Sequence, residues 1–365
     1  MQNLILEIQK WAISQANFLK PVPLGFWYIL FMFIFGGVVL GMVMFFAGFA
    51  SYAERKIAGH MQSRLGPMRV GPHGIFQFIA DGIKLVLKED LIPAEADRLL
   101  FKAAPYVLFA GSLAVFAAIP FSQVFGEPLG ITNLNIGLLY IMAVSSFVVI
   151  GILMAGWASV NKWSLLGGMR SVAQIVSYEV PVAVSFLTVI MIAGTMNMFD
   201  IVKMQEGGFW KWIIFKYPPF TLIVFLIYYI ASIAEINRTP FDIAEAESEL
   251  VAGFHTEYSG MRFAFFFMAE YGNMLAVSAI ATVLFLGGWQ SPLHINILPA
   301  PWFALEGIFW FFAKTLFLAF VMVWLRWTLP RYRVDQLMQV CWKVLLPVAF
   351  ANLILIGIWI ALTTD

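Results

Sequence analysis

Eight runs of apolar residues, at roughly 27–50, 101–121, 137–160, 172–195, 220–238, 263–288, 303–325 and 345–363, each come near the ~20 residues that an α-helix needs to cross the hydrocarbon of a bilayer. Lipid offers a backbone no hydrogen-bond partners, so a run that enters it must satisfy its own peptide groups, and a helix does this within one segment. The runs therefore imply an all-α integral membrane protein of about eight transmembrane helices. No connection is long enough to enclose a separate soluble core, so residues 1–365 are expected to form a single helical membrane domain.

An even number of crossings puts both ends of the chain on one side, and the cations say which. The first connection and its edges hold Arg55, Lys56, Arg64, Arg69, Lys84, Lys88, Arg98 and Lys102; the third, fifth and seventh hold Lys162, Arg170, Arg238, Arg262, Arg326, Arg331, Arg333 and Lys343. These are most of the 22 Lys and Arg, against Lys10, Lys20, Lys203, Lys211 and Lys216 on the other face. The odd connections are thus expected in the cytoplasm and both termini outside. Residues 1–26 show no short apolar core followed by a small-residue cleavage site, so the first run is expected to act as its own insertion signal. A single cysteine, Cys341, excludes an internal disulfide, a cysteine-ligated iron-sulfur cluster and a thiolate zinc site. His60, His73, His255 and His294 lack ligand spacing, and no redox metal is expected in this chain.

Two connections stand out. Residues 51–100 are expected as a cytoplasmic loop opening with Glu54-Arg55-Lys56; the Gly and Pro of 64–74 forbid a regular helix, and no Gly-Lys-Ser/Thr ending makes that stretch a phosphate loop. After it, Gln77, Asp81, Lys84 and Lys88 form one face of a helix and Ile75, Ile79, Ile83 and Val86 the other, which predicts an amphipathic helix over 74–88 lying in the membrane interface. On the opposite side, Phe209, Trp210, Trp212, Phe215 and Tyr217 mixed with Lys203, Lys211 and Lys216 are expected at the lipid-water boundary.

The second connection, 239–262, is acidic and carries Asp242, Glu245, Glu247, Glu249 and Glu257. Read as a helix, Asp242, Glu245 and Glu249 share a face and repel one another. A solvated loop would explain such a cluster by itself. However, Glu179 precedes Pro181 in the fourth run, Glu235 and Glu270 lie in the fifth and sixth, and Lys314 lies in the seventh. Each charge at a helix centre costs about 2.5 to 3.5 kcal/mol on insertion scales, so these groups should face the bundle interior, paired or wet. One of them alone is as readily an interhelical salt bridge; together they read as a proton path. The same physics suits a stand-alone cation-coupled transporter.

Four blocks carry a close resemblance to a known family: Ala-Glu-Arg-Lys at 53–56, Ala-Asp-Gly-Ile-Lys at 80–84, Arg-Ser-Val-Ala-Gln-Ile-Val-Ser-Tyr-Glu-Val at 170–180, and the stretch from Ala234 through Thr-Pro-Phe-Asp to Leu250, followed by Met-Ala-Glu-Tyr at 268–271. In these the chain resembles the H subunits of bacterial NADH-quinone oxidoreductase, respiratory complex I, and their mitochondrial counterpart NADH dehydrogenase subunit 1. The resemblance implies a component of the inner membrane that binds no cofactor and is not catalytic alone. Peripheral-arm subunits holding FMN and iron-sulfur clusters would complete a cavity for the quinone substrate, expected to be ubiquinone. It further implies antiporter-like and small membrane subunits as partners, with surrounding lipid and no nucleic acid. By matching position, the quinone channel would be walled by Arg55, Asp81, Gly82, Lys84, Phe263, Phe266 and Phe267. The carboxylates Glu54, Asp81, Glu179, Glu235, Asp242, Glu245, Glu247, Glu249 and Glu270 would couple that cavity to proton movement; Glu257 and Lys314 join them from the reading of the residues. The 242–257 loop is the expected switch. A related membrane component of a hydrogenase or formate hydrogenlyase would share the acidic path without a quinone.

Overall fold

The computed structural model describes residues 24–124, 126–243, 250–293 and 303–363. They form an all-α membrane protein in which seven helices are long and apolar enough to cross a bilayer. The crossing helices are α1 (Leu24–Met61), α3 (Arg98–Ala114), α4 (Gly137–Ala158), α5 (Lys162–Ala193), α9 (Gly260–Phe285), α10 (Phe303–Thr328) and a C-terminal helical run. That run comprises α11 (Val334–Gln339), a π-helical turn over Val340–Leu345 and α12 (Leu346–Thr363). An eighth apolar helix, α8 (Phe220–Glu235), has 16 residues. It is short for a crossing, yet Asn352 donates to the Phe220 carbonyl near one end of the bundle while Glu235 lies beside α9 residues at the other.

The first connection is shorter than expected. Its opening residues continue α1, whose 38 residues reach about 57 Å, well beyond a hydrocarbon thickness of about 30 Å. Ala53-Glu54-Arg55-Lys56 are good helix formers and contain no breaker, so the helix outlasts the apolar run. Residues 51–61 are therefore helix, not loop. The chain then turns sharply: Gly71 and Gly74 have φ of 73° and 78°, and a side chain on Gly74 would collide with the Pro67 carbonyl. The amphipathic stretch is helical over Gln77–Leu87, α2, a turn shorter at its start than its periodicity predicts. Phe78 of α2 packs its ring against Phe45 of α1, and the Gly260 turn that opens α9 lies against the Lys88 carbonyl, so α2 is held between α1 and α9.

Small residues let the central helices approach. A Cβ on Gly151 of α4 would stand 2.7 Å from Leu108 of α3, and one on Gly156 would stand 3.3 Å from the Cα of Gly168 of α5. Apolar side chains cover the outside on all faces, as Phe33 (81% exposed) on α1 and Leu362 (75%) on α12 illustrate, which suits lipid and not water. A two-stranded hairpin, β1 (Ser122–Val124) and β2 (Glu127–Leu129), follows α3, and Ser122 Oγ ties it to the Ala304 carbonyl at 2.9 Å. Two short helices, α6 (Met198–Met204) and α7 (Ile213–Lys216), close the same end of the bundle.

Candidate functional site: a buried ion cluster and the cavities behind it

At the opposite end, four elements bring charge together inside the bundle. Glu54, on the extension of α1, accepts hydrogen bonds through Oε2 from Arg238 Nη1 and from the Tyr271 hydroxyl, both at 2.8 Å, and pairs through Oε1 with Arg326 Nη1 at 2.7 Å. Arg238, just past α8, also approaches Glu270 of α9, Nε to Oε1 2.6 Å, and lays its guanidinium 4.3 Å from the Tyr271 ring centre. Arg238 is 2% exposed. Two carboxylates and two guanidiniums thus balance in formal charge, which is what makes their burial tolerable. The planar, always charged guanidinium suits a place where one cation must serve two acids.

Behind Glu270 the interior opens. A cavity of about 40 Å³ is lined by Glu270, Asn273, Asn237, Glu235, His255 and apolar neighbours including Phe254 and Phe266. A second, of about 50 Å³, shares Glu235 and Asn273 with it and adds Ser232, Ser145 and Tyr228. Volumes of this size hold a few waters, and the linings offer those waters polar partners. Glu179, one helix over, accepts from Ser146 Oγ at 2.9 Å and is near enough to Glu235 for their charges to repel. Glu54, Glu270, Glu235 and Glu179 therefore follow one another in a row from the end of the bundle inward: a guanidinium joins the first two, the smaller cavity is shared by Glu270 and Glu235, and Glu235 is near Glu179.

Beside this row lies a second group, at α2. Asp81 pairs with Arg55 at 2.5 Å and with Lys84 at 3.4 Å, and accepts from Gln77 at 3.1 Å. Burial alone would raise its pKa, but these partners hold the carboxyl below its ordinary range, so it stays ionised at neutral pH. A Cβ placed on Gly82 meets no atom within 4 Å, so that side of α2 is open. At the start of α9, Phe263 and Phe267 touch at a tilt of 50°, with ring centres 4.7 Å apart. Phe267 is 37% exposed, whereas Phe266 is buried and lines the smaller cavity.

The structure joins some of the expected site residues and separates others. Asp242 is buried and pairs with Arg331 at 3.1 Å. Glu257 accepts from Asn161, the N-cap of α5, at 2.6 Å, which anchors the loop to that helix start. Glu245, Glu247 and Glu249 lie outside the described residues, and with them the shared face read for Asp242, Glu245 and Glu249. Lys314 is not brought to the acid row. Its ammonium donates to the carbonyls of Leu286, Gly288 and Gln290 at 2.7, 3.0 and 2.7 Å, past the other end of α9. The reason is local: the C-cap carbonyl of Leu286 has no intrahelical donor and carries partial negative charge, and the loop that follows turns the Gly288 and Gln290 carbonyls to the same ammonium. Trp212, expected at the lipid boundary, is buried under the same ammonium, 4.3 Å from its ring centre.

The sequence pattern does not single out Arg238, Arg326, Tyr271 or His255 as site residues, although Arg238 and Tyr271 lie inside the two acidic blocks that it does. His255 is surrounded by Phe254, Phe263, Phe266 and Phe267. Burial lowers its pKa to about 3, so it is a neutral ring at physiological pH.

Comparison with known proteins decides the family. The family model described as NADH dehydrogenase matches residues 34–357, which contain every charged residue of the ion cluster. The chain belongs to the NADH dehydrogenase family. Among its relatives in the family, the NADH-quinone oxidoreductase H subunit of Chlorobium luteolum is 50% identical over 96% of this chain and 94% of its own. The H subunit of Anaeromyxobacter dehalogenans is 48% identical over 89% of this chain and 79% of its own. The H 1 subunit of Geobacter sulfurreducens is 46% identical over 89% and 93% respectively.

Proposed function

We propose that the chain is the quinone-channel membrane component of a proton-translocating NADH-quinone oxidoreductase, and that it couples quinone reduction to proton movement through the Glu54–Glu270–Glu235–Glu179 row. The observation that carries the reading is Arg238, one buried cation shared by Glu54 and by Glu270, which lines the smaller cavity. The names of the relatives favour the quinone enzyme over a hydrogenase component or a stand-alone transporter. With one cysteine the chain has no ligand set for an iron-sulfur cluster, so electrons arrive from a partner protein. The acid-row end then faces the cytoplasm and the peripheral arm, in keeping with its excess of Lys and Arg.

The isoprenoid tail enters from lipid between α2 and the start of α9, past the open Gly82 side and the Phe263–Phe267 pair. Arg55, Asp81 and Lys84 form the polar rim of that doorway. At the headgroup, two electrons and two protons convert quinone to quinol. Negative charge developing there pulls on the nearest mobile protons. A guanidinium does not release its proton, so Arg238 and Arg326 hold the field fixed while the carboxylates change occupancy. Protonating Glu270 weakens its hold on Arg238, which then favours Glu54 alone; the loop that follows Asp242 is tied to the same region through Arg331. The test is Glu235→Gln in the assembled complex, measuring quinone reductase rate and protons moved per electron. Glu235 lies in both cavities, so the proposal expects the proton yield to fall sharply. Wild-type values for both would refute it.

A further inference from the structure

The inner cavity does not continue to the far end of the bundle. Its deepest lining residue on α9 is Ile280, and the next turn, from Ala281 through Phe285, is fully buried. Phe285 packs its ring 5.8 Å from Tyr228 and 5.4 Å from Phe225, forming an aromatic wall. From Ile280 to the Leu286 carbonyl is about 9 Å along the helix axis. Immediately beyond stands the Lys314 ammonium.

Lys314 has three protons, and carbonyls of Leu286, Gly288 and Gln290 take all three. These acceptors are neutral, and among the described residues no contact ion pair cancels the charge, while the Trp212 face shields it on another side. The surrounding loop is built to fit. Gln205 donates to the Val283 carbonyl at 3.0 Å and accepts from the Ile213 and Gly287 amides, each at 3.1 Å. Gly287 and Gly288 take φ of 70° and 53°, and a side chain on Gly287 would run into the Trp212 indole. Capping a helix end does not by itself call for a buried cation, since glycine or water serves that purpose at far lower desolvation cost.

We propose that Lys314 is an electrostatic seal, an ammonium held by three carbonyls whose charge prevents protons in the acid row from leaking across the aromatic wall to the opposite side of the membrane. The inference rests on the acid row being the proton route. Repulsion between unit charges about 10 Å apart, at an effective dielectric constant of about 20, corresponds to a barrier of roughly tenfold or more in rate.

The test uses the assembled complex in liposomes, with passive proton entry followed by a pH dye in the absence of NADH. Lys314→Gln keeps donors for the carbonyls without the charge, Lys314→Met removes both, and Lys314→Arg keeps the charge. The seal predicts roughly tenfold faster leak for Gln and Met, wild-type leak for Arg, and reductase activity retained. It further predicts that Glu235→Gln suppresses the leak of Lys314→Gln. Wild-type leak in Lys314→Gln would overturn the seal, as would a leak that Glu235→Gln leaves untouched. Equal leak in Gln and Arg variants, with faster tryptic cleavage at Lys211, would make Lys314 a loop latch only and also overturn it. The acid row is judged separately, by the proton yield of Glu235→Gln alone.

Discussion

Replacing Arg238 by methionine removes the one cation that Glu54 and Glu270 share, at a place where Glu54 is buried and Glu270 faces only a small cavity. Glu54 keeps Arg326 and Tyr271, at 2.7 and 2.8 Å, whereas the ion pair that holds Glu270 is lost. Breaking a buried pair from one side costs about 3 to 5 kcal/mol, because the remaining charge stays buried without compensation. At about 1.4 kcal/mol per decade, this is a hundredfold to several-thousandfold shift against the native arrangement. The assay is the amount of intact complex resolved by native electrophoresis of solubilised membranes, together with its quinone reductase activity. Arg238→Met is expected to lose nearly all assembled complex. Arg238→Met combined with Glu270→Gln, which removes the orphaned charge as well, should recover a measurable part. Arg238→Lys should fall between the two, since one ammonium cannot match a fork that reaches both acids. If Arg238→Met assembles and turns over like wild type, the cluster is not a coupled unit and the reasoning fails.

At the doorway, Phe267→Arg is expected to slow reduction of long-tailed quinones several-fold more than that of short-tailed ones, since only a long tail has to pass the introduced charge. Equal slowing of both would point to misfolding. For His255, the folded pKa of about 3 lies below the unfolded value of about 6.5, so the unfolded chain binds more protons in between. Stability should be fully present above pH 6.5 and fall as pH drops below it, by up to about 1.4 kcal/mol per unit. His255→Gln should flatten the fall in inactivation temperature between pH 6.5 and 5, and an unchanged slope would contradict the buried neutral ring.

Hydropathy locates the crossing helices because lipid makes a local demand, a continuous apolar run. Where the demand is not local, it is silent. The end of α1 shows this: the apolar run stops near residue 50, but the helix continues to Met61 because helix propensity does not require lipid. That extension turns Glu54 from a loop residue into an inward-facing one. The hairpin of β1 and β2 has strands of three residues, too short for an alternating pattern to register. The acids of the row are visible in the sequence as costly charges, but their cations are not, because Arg238 and Arg326 read equally well as part of a basic face that sets orientation. Lys314 carries the same cost signal as the acids, and only the geometry reveals that it answers the carbonyls at the far end of α9. His255 lacks ligand spacing and so gives no signal; its role as a cavity wall depends on four phenylalanines that reach it from around the loop and the start of α9.

The central claim is a wet, continuous line of carboxylates from the ion cluster to Glu179. An experimental density map of the assembled complex, at a resolution that shows ordered water, tests it directly. The account predicts water in both cavities, bridging Glu270 to Glu235 through Asn273 and Glu235 toward Ser145 and Glu179. Dry cavities, with Glu235 turned into a bond of its own and no water within reach of Glu270, would contradict it.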